Sequence, residues 1–473
     1  MRVHLTHLGC KLNQAELETL ARELTAVGHE VVDELERADL HVVNTCTVTH
    51  RAARDSRKLA RRGQRFDPRI RTVLTGCYAS EKPAEAAGLD GVDLVVTNDR
   101  KEHLVPLIRE RFGAPALDPA FDSGNLRAIP FGHTRALVKI EDGCNMRCAF
   151  CIIPATRGRQ RSRPVPEVVA EVDALARAGA REVVVTGVQI SHYRWRGHSL
   201  YELVSEVLAA TAGLGPAAPR LRLTSIAPWR FDDRLLDLFM EDRSRGAGSS
   251  RLCRHVHLSL QSGSTATLRR MRRPYTAQEY ADLVERLRAA VPGIAVTTDV
   301  IVGFPGETDE EFEESLAFVR EMAFARPHVF PYSVREGTEA ADLPDPVPHE
   351  VRRERMARML ELAAELERSF RRRNVGERLE VLWEQRRDGA WLGTTDNYLR
   401  VRLDAEPPEG GGGSSAWDLT GRRSRVEITG LREHGVVGRL TEPVPAAPRV
   451  PGIERAGSPP ASTTSRSLLP VLG

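Results

Sequence analysis

Cys144, Cys148 and Cys151 constrain this chain more than any other feature. They lie in the stretch Val138-Lys-Ile-Glu-Asp-Gly-Cys-Asn-Met-Arg-Cys-Ala-Phe-Cys-Ile-Ile-Pro154. A Cys-x3-Cys-x2-Cys run lets three thiolates of one short loop converge on a soft metal centre. A four-iron cluster takes four ligands, so a loop supplying three leaves one iron with an open position, as in catalytic metal sites. The competing reading is a structural zinc with a fourth ligand elsewhere, such as His192. Structural zinc motifs, however, usually come as two Cys-x-x-Cys or Cys/His pairs.

The other cysteines are Cys10, Cys46, Cys77 and Cys253, which makes seven in all. An odd number, with no signal-peptide core in Met1-Arg-Val-His-Leu-Thr-His, favours reduced thiols acting as ligands over a disulfide framework. No apolar run is long enough to span a bilayer, so a cytoplasmic protein with no membrane partner is expected. At 473 residues the chain exceeds a single core and suggests two to four domains. Its net charge of +3 permits a nucleic-acid partner without demanding one.

Apolar segments alternate with helical patterns through the first third. Strands are expected at Arg2 to Leu8, Ala38 to Asn44, Arg71 to Thr75 and Val92 to Thr97. A helix is expected from Gln14 to Val27, with Leu17, Leu20, Ala21 and Leu24 on one face. This alternation implies a parallel α/β sheet with right-handed crossovers. Cys10, Cys46 and Cys77 each follow a strand, in Leu8-Gly-Cys, Asn44-Thr-Cys-Thr and Thr75-Gly-Cys-Tyr. Carboxyl ends of parallel strands share one edge, where ligands bind. Three residues far apart in sequence therefore acquire one address, against the alternative of three unrelated buried thiols.

A Pro- and Gly-rich linker is expected over 114–134. Beyond it a strand, Ala136 to Glu141, delivers the cysteine loop. Further strands are expected at Glu182 to Thr186, Arg220 to Thr224, His255 to Ser259, Ala295 to Val302 and His328 to Pro331, with helices between them. Repeating β-α units suggest a partial or full α/β barrel with its site at the carboxyl strand ends, or else an open doubly wound sheet. Arg157-Gly-Arg-Gln-Arg-Ser-Arg163 behind the loop reads equally as a solvated face or as a phosphate-contacting cluster. Cys253 reads as core.

Pro348 to Asn374 reads as a long helix with the stripe Met356, Met359, Leu360, Ala363, Leu366 and Phe370. Short strands at Arg378 to Glu384, Tyr398 to Leu403, Arg425 to Leu431 and Val436 to Leu440 then suggest a small β-barrel, with a flexible Gly410 to Ser415 loop. A disordered tail is expected over 443–473.

The central cysteine stretch closely resembles the radical S-adenosylmethionine (SAM) signature, Cys-x3-Cys-x-aromatic-Cys, with Phe150 at the aromatic position. The resemblance decides for the barrel over the doubly wound sheet. It implies a [4Fe-4S] cluster on Cys144, Cys148 and Cys151, whose open iron is chelated by SAM. Reductive cleavage of SAM then yields a 5′-deoxyadenosyl radical, with Phe150 near the adenine. Thr186-Gly-Val-Gln189 occupies the place where these proteins bind the SAM amino group, which points to Thr186 and Gly187. Ser259 to Gly263 and Asp299 to Glu307 resemble segments that surround the cofactor, although a tight turn alone would explain Gly303, Pro305 and Gly306.

Leu8-Gly-Cys-Lys-Leu-Asn-Gln-Ala-Glu16, Asn44-Thr-Cys-Thr-Val-Thr49 and Thr75-Gly-Cys-Tyr-Ala79 are similar to the three cysteine motifs of the methylthiotransferase family. That likeness implies a second, auxiliary [4Fe-4S] cluster on Cys10, Cys46 and Cys77. The family's usual Gln after Gly-Cys-Tyr-Ala is Ser80 here, which leaves the ligands untouched. Gly393 to Tyr398 resembles part of a TRAM domain, a small RNA-binding barrel. The expected organisation is therefore α/β: an auxiliary-cluster domain over 1–113, a radical SAM domain over 135–374 and a TRAM-like barrel over 375–442.

Leu8 to Gln14 and Pro331 to Thr338 look most like the branch that methylthiolates N6-threonylcarbamoyladenosine beside the tRNA anticodon. Other branches act on N6-isopentenyladenosine or on a ribosomal-protein aspartate. The implied partners are tRNA, a flavodoxin- or ferredoxin-like electron donor and a sulfur source. A non-enzymatic alternative is a zinc-stabilised RNA-binding protein, separated by the metal: iron with acid-labile sulfide against zinc alone.

Overall fold

A computed structural model describes residues 1–113, 134–246, 250–404, 418–442 and 444. The expected linker, the Gly410 to Ser415 loop and the tail lie outside these residues, apart from Thr134 and Val444.

The first sheet contains β1 (Arg2–His7), β2 (Glu30–Val31), β3 (Leu40–Thr45), β4 (Arg71–Gly76) and β5 (Leu94–Val96), all parallel in the order β2-β1-β3-β4-β5. Residues of β3 are buried throughout, as expected of a central parallel strand. The pairings His7 with Asn44 and Asn44 with Thr75 bring three neighbouring strand ends level. Helix α1 (Lys11–Ala26) begins three residues earlier than the apolar periodicity suggests, with Cys10 at its N-cap.

A second parallel sheet takes β6 (Arg135–Lys139), β9 (Glu182–Thr186), β10 (Arg220–Ile226), β11 (Leu252–Leu258), β12 (Ala295–Val302) and β13 (Arg326–Pro331) in strict sequence order. A short antiparallel ribbon of β7 (Glu141–Asp142) and β8 (Arg161–Ser162) lies between the first two in the chain. Sequential order means that every right-handed crossover advances the same way and lays its helix on the same face. Val183, Val185, Leu221, Leu223, Val256 and Leu258 face the core shared with those helices. A doubly wound sheet would reverse direction; this one is a partial barrel whose inner face is left for other partners. Capping boxes at Ser199/Glu202, Thr276/Glu279 and Thr308/Glu311 start three of the helices.

Two elements fill the inner face. Ala15 of α1 packs with Leu137 and Val184, and Glu18 accepts from the Leu137 N–H at 3.1 Å. At the amino ends of the strands sits a closed barrel of β14 (Arg378–Arg387), β15 (Ala390–Thr395), β16 (Arg400–Leu403), β17 (Arg423–Arg432) and β18 (Gly435–Leu440). Buried Arg220 and Arg222 each donate to Glu182 at 2.7 Å. They also donate to the carbonyls of Thr394 (2.8 Å), Thr395 (3.1 Å) and Asp396 (2.9 Å), anchoring the barrel.

The helix His349–Arg373 buries Met359, Leu362, Ala363, Leu366 and Phe370. Leu360, placed on the stripe by sequence, is 49% exposed, and Leu362 takes the core position. Among the described residues no helix is long and apolar enough to cross a membrane.

Candidate active site

Strand β6 runs into the central cysteine loop. Gly143 has φ +72°, and a Cβ there would lie 2.2 Å from the Arg159 carbonyl oxygen, so only glycine lets the loop close onto β8. The Cys144 N–H then donates to the Gly158 carbonyl, and the Cys151 N–H to the Cys148 carbonyl, both at 3.0 Å. Arg273 Nη1 donates to Cys148 Sγ at 3.3 Å. Its guanidinium lies 4.6 Å from the Trp229 ring centroid and also donates to the Ser259 carbonyl at 3.3 Å.

Phe150 meets Phe304 edge-on at 6.4 Å. Thr186 is buried at the end of β9, where its carbonyl accepts from the Ile140 N–H at 2.9 Å. At Gly187 a Cβ would come within 3.1 Å of the Glu141 carbonyl oxygen, while the Val188 and Gln189 N–H groups donate to Glu141 Oε1 at 3.0 Å. Within the protein the close approach at Gly187 is thus to Glu141, beside the cysteine loop. Glu141 Oε2 is buried with no partner, and burial pushes the carboxyl up to about 7. The turn at Gly303 to Gly306 is held by Glu307, which accepts from the Gly303 N–H (2.9 Å) and from Arg355 (2.8 Å).

Cys10, Cys46 and Cys77 stand just beyond β1, β3 and β4, which are adjacent strands. Gly9 has φ +90°, and a Cβ there would meet Cys46 Sγ at 2.6 Å, so its absence brings the first loop onto the second. Asn98 Nδ2 lies 3.9 Å from Cys77 Sγ and donates to the Thr156 carbonyl at 2.8 Å, tying this edge to the central loop.

Burial raises the Cys46 and Cys151 thiols to about 12, and raises Cys10 and Cys144 as well; within each triplet the neighbouring thiols add to the rise. Thiols so placed hold their protons until a soft cation displaces them. Among the described residues no three ligating side chains converge closely enough for a single ion. Two groups of three thiols, near enough to oppose one another's ionisation, fit polynuclear iron–sulfur centres.

A buried charge network joins the triplets. Arg157, six residues after Cys151, has a side chain 1% exposed and donates to Glu16 (2.9 Å), Asp142 (2.9 Å) and Asn13 (2.5 Å). Lys101 (2.7 Å) and Lys139 (3.3 Å) also donate to Glu16. Although burial opposes its ionisation, these three cations hold the Glu16 carboxyl well below the usual carboxylate range. Although burial opposes its charge, the Glu16 and Asp142 carboxylates hold the Arg157 guanidinium protonated. Arg157 is therefore neither a solvated residue nor a phosphate ligand but the central cation of an interdomain seam. Glu16→Gln leaves three buried cations around a neutral group and is expected to cost about 3–5 kcal/mol of stability, measured by urea denaturation.

Known proteins place this geometry in a lineage. Residues 138–319 match the model of the Radical SAM superfamily, and residues 2–97 match Uncharacterized protein family UPF0004. The chain is 38% identical to threonylcarbamoyladenosine tRNA methylthiotransferase MtaB of Bacillus subtilis, across 83% of this chain and 88% of that protein. It belongs to the radical SAM methylthiotransferase family. The MtaB of Aquifex aeolicus is 35% identical, over 85% of this chain and 97% of that one. A tRNA-2-methylthio-N(6)-dimethylallyladenosine synthase of Staphylococcus aureus is 30% identical, over 92% and 84%. Among solved structures, the radical SAM methyltransferase TsrM of Kitasatospora setae superposes with a TM-score of 0.51 at 18% identity, covering 72% of this chain and 77% of that one, which establishes fold alone.

As a radical SAM methylthiotransferase the chain is an enzyme whose cofactors are SAM and [4Fe-4S] iron–sulfur, which removes the zinc-stabilised binding protein from consideration. Cys253 is buried 3.8 Å from Glu182, among the residues that anchor the barrel. Sequence reasoning did not single out Glu16, Lys101, Lys139 or Arg273 in this methylthiotransferase. Glu16 does fall inside the first cysteine motif, the one signal that could have drawn attention to it.

Proposed function

We propose that this enzyme converts N6-threonylcarbamoyladenosine at position 37 of tRNA, next to the anticodon, to its 2-methylthio form. Cys144, Cys148 and Cys151 would hold one [4Fe-4S] cluster beside bound SAM, and Cys10, Cys46 and Cys77 would hold a second. When bound, the first centre and SAM supply the radical that activates an inert carbon–hydrogen bond, and the second supplies sulfur beside it. The observation that carries this reading is the pair of cysteine triplets locked to one buried seam by Arg157, Glu16 and Asn98.

The protein's own groups orient and enclose the reaction. Arg273 donates to Cys148 Sγ and fixes that ligand, and Glu141 Oε2 offers a buried acceptor to a cationic group of SAM beside Thr186 and Gly187. Phe150 supplies an aromatic wall near the adenine. An RNA substrate is supported by the helix His50–Ala60 that follows Cys46: Arg51, Arg54 and Lys58 are exposed on it, with Arg62 and Arg65 just beyond. Such a ridge suits phosphate contacts. The barrel over 375–442 is the second RNA-binding surface. A flavodoxin- or ferredoxin-like donor and an external sulfur source complete the reaction in the cytoplasm.

The substrate assignment rests on the MtaB proteins, the dimethylallyl class being the second reading. Nucleoside mass spectrometry of tRNA from cells with and without the gene tests it. Loss of 2-methylthio-threonylcarbamoyladenosine supports the assignment. Loss of the 2-methylthio dimethylallyl nucleoside instead transfers the chemistry to the other substrate, and unchanged tRNA removes both.

A further inference from the structure

Lys11 follows Cys10 directly and is the first residue of α1. A cation at this position opposes the helix dipole, and the first turn holds no acidic residue to offset it. Lys11 therefore adds nothing to the helix it begins. Nor is it spent on an ion pair: among the described residues no carboxylate or carbonyl accepts from its Nζ. The ammonium lies over the Tyr398 ring, whose centroid is 5.6 Å away, and acts through space on the Asp299 carboxylate without hydrogen-bonding to it. Tyr398 comes from the C-terminal barrel and adopts φ +70°, with Arg222 at 4.7 Å from its centroid and His255 at 4.4 Å.

Cys10, the residue before Lys11, is exposed, and Asp299 is 31% exposed. Asp299, the carboxylate of the inner face, is already engaged by His257 at 3.2 Å, and His257 stands 6.1 Å from His328. Lys11 thus presents an ammonium that no carboxylate hydrogen-bonds, one residue along the chain from a thiol of the early triplet.

The two substrate classes named among the relatives differ in the group that such a charge would meet. A threonylcarbamoyl substituent carries a carboxylate, whereas a dimethylallyl substituent is hydrocarbon. We infer that Lys11 binds the carboxylate of the threonylcarbamoyl group and thereby selects this substrate over hydrocarbon-modified adenosine. The inference rests on the substrate reading above and adds the residue that enforces it. It also accounts for the unpaired lysine, since a buried carboxylate and an unpaired ammonium stabilise each other through a charge-assisted hydrogen bond.

Binding of anticodon stem-loop RNAs to the iron–sulfur-reconstituted protein, followed by fluorescence anisotropy, tests this without turnover. Three ligands are compared: RNA with threonylcarbamoyladenosine at position 37, its methyl ester, and the dimethylallyl form. Wild type is expected to favour the free acid over the ester by roughly 10- to 100-fold, the range of a hydrogen bond to a charged group. Lys11→Met, with iron and sulfide content equal to wild type, should bind acid and ester alike, and Lys11→Arg should restore most of the preference. A Lys11→Met protein that still favours the acid over the ester overturns the role of Lys11 while leaving the substrate reading intact. A wild type that favours the dimethylallyl RNA overturns the substrate reading and the inference together. The ester comparison on wild type needs no variant, and equal affinity for acid and ester there rejects carboxylate recognition outright.

Discussion

Cys148→Ala is expected to reduce SAM cleavage to background. The central loop offers three thiols, and removing one leaves two, too few to hold a four-iron cluster with a single open position. Cys148 is also the thiol that Arg273 addresses, at 3.3 Å. Its loss strands a buried guanidinium whose remaining contacts are the Trp229 and Tyr275 rings, the Tyr275 hydroxyl and the Ser259 carbonyl. The backbone of the loop is held separately, through Cys144 N–H to Gly158 and Gly143 against Arg159, so the variant should fold. Anaerobic reconstitution followed by chromatography for 5′-deoxyadenosine reads the outcome. Iron content should fall by roughly half, since one of two four-iron centres is lost. Wild-type cleavage in a fully reconstituted variant would remove Cys148 from the ligand set.

Cys10, Cys46 and Cys77 were legible in the sequence because each follows the end of a strand, and strand ends in a parallel sheet converge by topology alone, while Cys144, Cys148 and Cys151 were legible from their spacing in one loop. For the central domain the β-α repeat left a barrel and a doubly wound sheet both open, the likeness to radical SAM proteins decided for the barrel, and the sequential strand order agrees with it. Helix α1 was harder to read. Its Leu17, Leu20, Ala21 and Leu24 predict one buried face, but Glu16, Glu18 and Arg22 on the other side are buried as well, against the central sheet. Charged residues at helical spacing look solvated until Arg157 and Lys139 of the central domain, with Lys101 of their own, cover them. The same blindness hid Arg220 and Arg222, which lie on the inner side of a strand whose alternate residues are plainly apolar. Periodicity reports which residues share a face and is silent about what docks there. Strand β15 was missed for a different reason. Its Ala390–Thr395 segment contains Gly393 and follows a tight turn, so it resembles a loop until it pairs with β14 and β16.

Cys46→Ala should separate the two halves of the reaction: SAM cleavage retained, sulfur transfer lost. The local fold at Cys46 does not depend on its thiol. The Cys46 N–H donates to Ser56 Oγ at 3.0 Å and the Cys46 carbonyl accepts from the same hydroxyl at 2.8 Å, so the backbone stays pinned when the sulfur is removed. Gly9, which owes its closeness to Cys46 Sγ, merely gains space. The stability cost should be about 1 kcal/mol, the ordinary size for a single buried substitution. Cys144, Cys148 and Cys151 belong to another sheet and are held by contacts that do not include Cys46, so their centre should still assemble and cleave SAM. The early triplet, reduced to Cys10 and Cys77, should fail to retain its cluster. Measuring 5′-deoxyadenosine and methylthiolated nucleoside in the same anaerobic reaction shows both halves at once. Abundant 5′-deoxyadenosine with no methylthio product places sulfur delivery on Cys10, Cys46 and Cys77. Methylthio product at the wild-type level would mean that sulfur reaches the substrate by a route independent of that edge of the first sheet. Loss of both activities would instead point to the seam, because Arg335, which donates to the Thr47 carbonyl at 2.9 Å, couples the residue next to Cys46 to the central domain.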